Sequence, residues 1–143
     1  MAQFIEFVGN HTFLFFTFMF VTGLLMWNLI EGQISGVQAI QPQDAISLIN
    51  REDALVLDVR EEKEFIDGHI LNAMHIPLST LSSKISRLEK YKDRPIIASC
   101  RSGNRSGNAC KMLKKSGFDK IYNLSGGIIA WQNASFPVTK GKK

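Results

Sequence analysis

The stretch Pro95-Ile96-Ile97-Ala98-Ser99-Cys100-Arg101-Ser102-Gly103-Asn104-Arg105-Ser106 decides how this chain is read. A short apolar run, bounded by proline, predicts a buried strand over Pro95 to Ser99. Five small or cationic residues follow Cys100. From Ser106 to Ser116 the pattern becomes helical, with Ala109, Met112 and Leu113 facing inward and Lys111, Lys114 and Lys115 outward, and Gly117 closes it. In an open α/β sheet, ligands sit beyond the carboxyl ends of the strands, and Cys100 falls at such an end. Gly103 gives the loop the backbone freedom to curl around the sulfur. Successive N–H groups in such a curl form an anion nest, and the following helix adds partial positive charge. Arg101 and Arg105 are expected to point two guanidinium groups at the same sulfur. Each of these groups favours the thiolate, which is the nucleophilic form. The cradle would equally hold an anion attached to the sulfur, either a persulfide or a phosphocysteine.

Outward from this loop, strand and helix signals alternate. Pro42 suits the first turn of a helix with Ala45, Leu48 and Ile49 on one face. Leu55-Val56-Leu57 reads as a buried strand, and Glu61 to Asp67 as a short helix ending at Gly68. Ala73 to Ile76 predicts a strand closed by Pro77. Ser79 is the expected N-cap of a helix carrying Leu81, Ile85 and Leu88. Ile121 to Leu124 predicts a last strand, and Ile128 to Asn133 a last helix. The alternation argues an α/β domain with a mainly parallel central sheet flanked by helices.

The amino-terminal third is different in kind. From Thr12 to Ile30 there are 19 residues without a charge, rich in Phe, Leu, Met, Val and Ile. That is close to the ~20 residues of a membrane-spanning helix. Phe4, Ile5, Phe7 and Val8 extend the apolar character upstream past Glu6. Val37-Gln38-Ala39 resembles a small-residue cleavage site, but no basic side chain precedes the run, which argues against a signal peptide. The expectation is one transmembrane anchor and linker over 1–36, the Glu31-to-Gly36 part being a flexible linker. A domain over 37–138 and a basic tail over 139–143 follow. All 17 Lys and Arg lie downstream of the run, Arg51 being the nearest, so the positive-inside rule favours a single-pass inner-membrane chain with a cytoplasmic domain.

Beyond position 35 those 17 basic side chains face 11 acidic ones, a surplus near +6 to which Lys140, Lys142 and Lys143 contribute half. No basic stripe is interleaved with aromatics, so the charge points to a small anionic substrate rather than to nucleic acid. Cys100 and Cys110 form neither a metal-binding pattern nor a disulfide framework, and no metal or cofactor is expected.

The Cys100 loop resembles the active-site loop of rhodanese-domain sulfurtransferases. Asp58-Val59-Arg60-Glu61, Glu64-Phe65, Gly68-His69-Ile70, Ala73 and Ile76-Pro77-Leu78 resemble that family's upstream signature. Leu124-Ser125-Gly126-Gly127, Ala130-Trp131 and Pro137-Val138 resemble its closing one. The likeness runs from about Val37 to Val138, and the anchored arrangement is similar to small bacterial membrane proteins with one such domain. The resemblance implies a rhodanese-like fold and a ping-pong sulfur transfer. Cys100 would attack the outer sulfur of thiosulfate or of a protein persulfide, become a persulfide, and pass the sulfur to cyanide or a thiol. The amides of Arg101, Ser102, Gly103, Asn104 and Arg105 would hold the terminal sulfur.

The resemblance also bears on the choice between the two anions. Four residues separate Cys100 from Arg105, one fewer than in related phosphatase and arsenate-reductase loops, which suits a sulfur atom better than a phosphate. Asp58 and Arg60 would lie near the loop, as an ion pair bracing the domain rather than as catalytic groups. His69, Trp131 and Cys110 read as structural. The alternative function is a catalytically weak interaction or persulfide-carrier module at the membrane.

Overall fold

The computed structural model describes residues 11–34 and 36–141. By chain contacts it divides into two units, Met1–Gly36 and Val37–Lys143. The first holds one helix, α1 (Thr12–Ile34, 23 residues). Its described apolar side chains point every way around the axis, and all but the half-buried Phe15 are exposed, Phe13 and Trp27 most of all at 82 % and 73 %. Thr17 and Thr22 turn their hydroxyls back to the carbonyls of Phe13 and Phe18, both at 2.8 Å, so neither polar group needs an outside partner.

Among the described residues no helix is long and apolar enough to cross a membrane. The transmembrane anchor expected over Thr12 to Ile30 is thus not supported by the described residues. The helix then continues through Glu31, Gly32 and Gln33, where a flexible linker was expected. Phe4, Ile5, Glu6, Phe7 and Val8 lie outside the described residues, as do Lys142 and Lys143.

In the second unit the order is β1 (Gln38–Ile40), α2 (Pro42–Glu52), β2 (Leu55–Asp58), α3 (Glu62–Asp67), β3 (His69–Ile70), β4 (Met74–His75) and α4 (Leu78–Lys84). A 3-10 helix (Ile85–Tyr91) leads to β5 (Ile96–Ser99), α5 (Asn104–Lys115), β6 (Ile121–Leu124), α6 (Gly127–Asn133) and β7 (Val138–Thr139). Five strands form one sheet in the order β1-β6-β5-β2-β4, and every pairing in it is parallel. The chain leaves β5 toward one edge through α5 and β6, and leaves β2 toward the other through α3 and β4. The crevice where strand order reverses therefore lies between β2 and β5, at their carboxyl ends.

Both faces of the sheet are covered, and the strand alternation sorts the core in two. Leu55, Leu57, Ile96 and Ala98 pack on one face with Leu81, Leu88, Ala109, Leu113 and Phe118. Val56 and Ile97 pack on the other with Ala45, Phe65, Ile128 and Trp131. Because β2 and β5 are buried on both faces, each is an apolar run, Leu55-Val56-Leu57 and Ile96-Ile97-Ala98, up to its last residue.

Four boundaries differ from the sequence expectation. The helix after Pro77 begins at Leu78, so Pro77 rather than Ser79 is its cap. Leu81, Ile85 and Leu88 do not share one α-helix, since the chain tightens to 3-10 geometry at Ile85. α5 starts at Asn104, directly out of the loop, rather than at Ser106. The tail expected from 139 is partly docked: Thr139 pairs with His69 in the β3–β7 ribbon, and the Gly141 N–H donates to the Ile66 carbonyl at 3.0 Å.

Candidate active site

Cys100 is the first residue past β5, at the reversal crevice. Gly103, at φ 102°, takes a left-handed conformation that L side chains resist and turns the chain straight into α5. The Gly103 N–H donates to Cys100 Sγ at 3.1 Å. The Ser106 hydroxyl stands 3.3 Å from the same sulfur, 3.1 Å from the Gly103 carbonyl and 2.7 Å from Asn123 Oδ1. One hydroxyl has one proton, so Sγ, Gly103 O and Asn123 Oδ1 compete for it. Asn123, from β6, also donates through Nδ2 to the Gly103 carbonyl at 3.1 Å, pinning the turn.

The loop is shaped from behind by α6. The Ile128 N–H donates to the Cys100 carbonyl at 2.8 Å, and the Ile129 N–H to the Arg101 carbonyl at 3.3 Å. Drawing two carbonyls away from the sulfur leaves the N–H sides of the rigid peptide planes on the sulfur's side. Gly127 permits the approach: at φ 56° it already needs a glycine, and a Cβ there would strike the Cys100 carbonyl oxygen and sit 2.7 Å from Arg101 C and O. Gly127 is thus a packing requirement of the Cys100 loop, set by backbone rather than by chemistry, whereas Gly126 leaves room for the Ala130 side chain of α6.

Cys100 is 1 % exposed. Burial works against its thiolate, but the Ser106 hydroxyl and the N–H groups of Ser106, Ser102 and Gly103 outweigh it and hold the thiol below its ordinary range. Hydrogen bonds to a charged acceptor are worth about 1.5–3 kcal/mol each, which is why a few of them can win. Cys110 lies on α5 within the core, where its thiol donates to the Tyr122 carbonyl at 3.5 Å, and burial pushes that thiol up to about 12.

The expectation for Arg105 is corrected. Arg105 does not turn its guanidinium to the sulfur. It forms a bidentate pair with Glu64 of α3, Nη1 to Oε2 at 2.7 Å and Nη2 to Oε1 at 2.8 Å. Arg101 is exposed, and no ion pair of the described residues includes it. Of the five amides expected around the sulfur, those of Ser102 and Gly103 reach Sγ, and Ser106 supplies the third. Glu64 is also fixed by the α3 capping box, where Oε2, shared with Arg105 Nη1, accepts the Glu61 N–H at 3.3 Å. Its carboxyl is held down at about 2, chiefly by the hydrogen bonds from Arg105.

Asp58 and Arg60 form a buried pair at the end of β2, with Nη2 to Oδ2 at 2.7 Å and Nε 3.0 Å from both oxygens. Arg60 Nη2 also donates to the Gly68 carbonyl at 2.8 Å, tying β2 to the start of β3. His69 stacks on Phe65 with ring centroids 3.7 Å apart and meets the Phe65 carbonyl through Nδ1 at 2.8 Å. Trp131 is buried and donates Nε1–H to the Pro137 carbonyl at 3.0 Å. Among the described residues, no three His, Cys, Asp or Glu side chains are grouped so as to hold a metal ion.

Ser106, Asn123 and Glu64 are the site residues that sequence reasoning left out. Ser106 was readable as a hydroxyl one turn into the helix after the loop. Asn123 and Glu64 come from 17 and 41 residues away from their partners; Glu64 stands in the upstream signature, but nothing local ties it to Arg105.

Comparison with known proteins agrees with this geometry. The Rhodanese-like domain family matches residues 41–134. The chain is 30% identical over 143 residues to the uncharacterized protein YibN of Escherichia coli (strain K12), covering 99% of this chain and 100% of that one. It is 37% identical over 91 residues to a sulfurtransferase of Allochromatium vinosum, covering 64% of this chain and 83% of that protein. The crystal structure of a rhodanese-related protein from Thermoplasma volcanium superposes with a TM-score of 0.65 at 36% identity, covering 71% of this chain and 97% of that one. On the match over 41–134 and on the full-length likeness, this chain belongs to the rhodanese-like domain family.

Proposed function

We propose that this protein is a sulfurtransferase that carries sulfane sulfur on Cys100. The observation behind this is a single sulfur ringed by the N–H groups of Ser102, Gly103 and Ser106 and by the Ser106 hydroxyl. Such a ring stabilises a thiolate before the reaction and the terminal sulfur of a persulfide after it. The Cys100 thiolate attacks the outer sulfur of the donor. The donor's S–S bond breaks, and its electron pair leaves with sulfite or with a thiolate. A nucleophile such as cyanide or a thiol then takes the outer sulfur and returns the Cys100 thiolate. A relative named as a sulfurtransferase supports the reading.

The test is intact mass after incubation with thiosulfate or a persulfide. One added sulfur is expected, on the peptide containing Cys100 and not on that of Cys110, and removed by cyanide. The uptake rate follows the thiolate. It should rise with pH and level off below the ordinary thiol range of about 8.5, because the Cys100 pKa is lowered. A rate still climbing through that range would contradict the cradle's role. A second reading, an interaction or carrier module, draws on the 1 % exposure of Cys100, which leaves a bulky donor little access. No sulfur adduct from any donor would leave that reading standing alone.

Location belongs to the same proposal. Most of the described apolar side chains of α1 are exposed, and a helix hydrophobic all round wants an apolar surrounding. We infer that α1 carries the domain to a lipid bilayer. The full chain is then expected in the detergent-rich phase on Triton X-114 partition. Recovery in the aqueous phase would count against it.

A further inference from the structure

Three arginines lie at the carboxyl end of the sheet, and two are already engaged. Arg60 is closed by Asp58 and the Gly68 carbonyl. Arg105 gives both terminal nitrogens to Glu64. Arg101 is exposed and belongs to no ion pair of the described residues. The Glu64 carboxyl, held at about 2, is ionised at any working pH. Arg105 is therefore shared: Glu64 holds it first, and the charge of Cys100 acts on it as well. A donor that enters the loop meets a carboxylate on the guanidinium it would otherwise use.

We propose that Glu64 is a specificity-determining residue: by tethering Arg105 it sets the loop against dianionic donors such as thiosulfate and toward sulfane sulfur borne on a monoanion or a thiol. This rests on the sulfurtransferase reading and names its substrate class. The physical content is a scaling law. The work of bringing a donor into a fixed electrostatic potential is proportional to the donor's charge. Removing the Glu64 charge therefore changes the logarithm of kcat/KM twice as much for a dianion as for a monoanion.

Thiosulfate and methanethiosulfonate form the required pair, since a methyl group replaces one charged oxygen and the outer sulfur is the same. With both, the Cys100 thiolate attacks that sulfur, the S–S bond breaks, and the pair leaves with sulfite or methanesulfinate. The reaction balances without a further oxidant or reductant.

The experiment measures kcat/KM of the full chain and of Glu64→Gln with both donors. Glutamine keeps the length and the oxygen that accepts the Glu61 N–H. At an effective dielectric between those of protein and water, the gain should be about threefold for methanethiosulfonate and about tenfold, its square, for thiosulfate. Glu64→Asp, which keeps the charge, should hold the wild-type ratio between donors. Equal losses with both donors would show that Glu64 only positions Arg105, and equal gains that it does not read charge. Either result overturns the proposal. Glu64→Met, neutral and of similar length, repeats the test should the glutamine variant not fold. No uptake from either donor by the wild type would overturn the sulfurtransferase reading itself, whereas uptake with an unaltered donor ratio in the neutral variants overturns this inference alone.

Discussion

Gly127→Ala is expected to disable the site and weaken the domain together. The new methyl group would collide with the Cys100 carbonyl oxygen and lie 2.7 Å from Arg101 C and O, all of them backbone atoms with no rotamer to escape into. A non-glycine residue at φ 56° adds strain of roughly 1–3 kcal/mol. Overpacking adds about 1–3 kcal/mol more. A loss of about 3–4 kcal/mol is a large part of the 5–15 kcal/mol of a typical domain and should lower Tm by about 15 °C or more. Relief is possible only if the loop moves off α6, which breaks the Ile128–Cys100 and Ile129–Arg101 hydrogen bonds and lets the amides turn from the sulfur. A misplacement on the order of 1 Å at a reacting group slows chemistry about a hundredfold, and sulfur uptake should fall at least that far. Thermal unfolding and uptake rate check this together. A variant melting within ~2 °C of wild type with normal uptake would show that the glycine is not needed for the loop's shape.

Asp58→Asn is expected to cost about 3–5 kcal/mol, because it leaves Arg60 buried and charged without a counter-ion. The pair sits at the end of β2, both side chains 6 % exposed or less, so water cannot take over the carboxylate's role. The informative comparison is Asp58→Leu with Arg60→Met. Replacing a buried ion pair by apolar groups of similar volume is often nearly neutral. The double variant should therefore unfold at higher denaturant than Asp58→Asn alone, by about 2 kcal/mol or more. If the double variant is the less stable, the pair contributes something beyond cancelling its own charges, and the charge-cancelling account fails.

The strand–loop–helix unit around Cys100 could be read from the sequence because everything it needs is local. An apolar run, a glycine and a helical repeat follow one another within a few turns. The parallel sheet was legible for the same reason: β2 and β5 are buried on both faces and advertise it as continuous apolar runs. The β3–β7 ribbon was not, since strands of two residues are too short to show alternation. Nor was the turn at Ile85, because Leu81, Ile85 and Leu88 fit α and 3-10 geometry alike. The corrections at the site have one origin. Charge composition suggested that Arg105 faces the sulfur, but its partner lies 41 residues upstream, and a short, bidentate carboxylate outcompetes a nearby thiolate for a guanidinium. Composition counts charges without saying how they pair.

The grip of α6 on the Cys100 and Arg101 carbonyls has a consequence for the order in which the protein is made. Cys100 emerges from the ribosome well before Gly127, Ile128 and Ile129. Until they follow, nothing draws the two carbonyls aside, and Asn123 is not yet there to pin Gly103. A chain still short of α6 therefore lacks the two hydrogen bonds that hold the loop from behind, and the surroundings of the sulfur take their final shape only when that helix has closed on them.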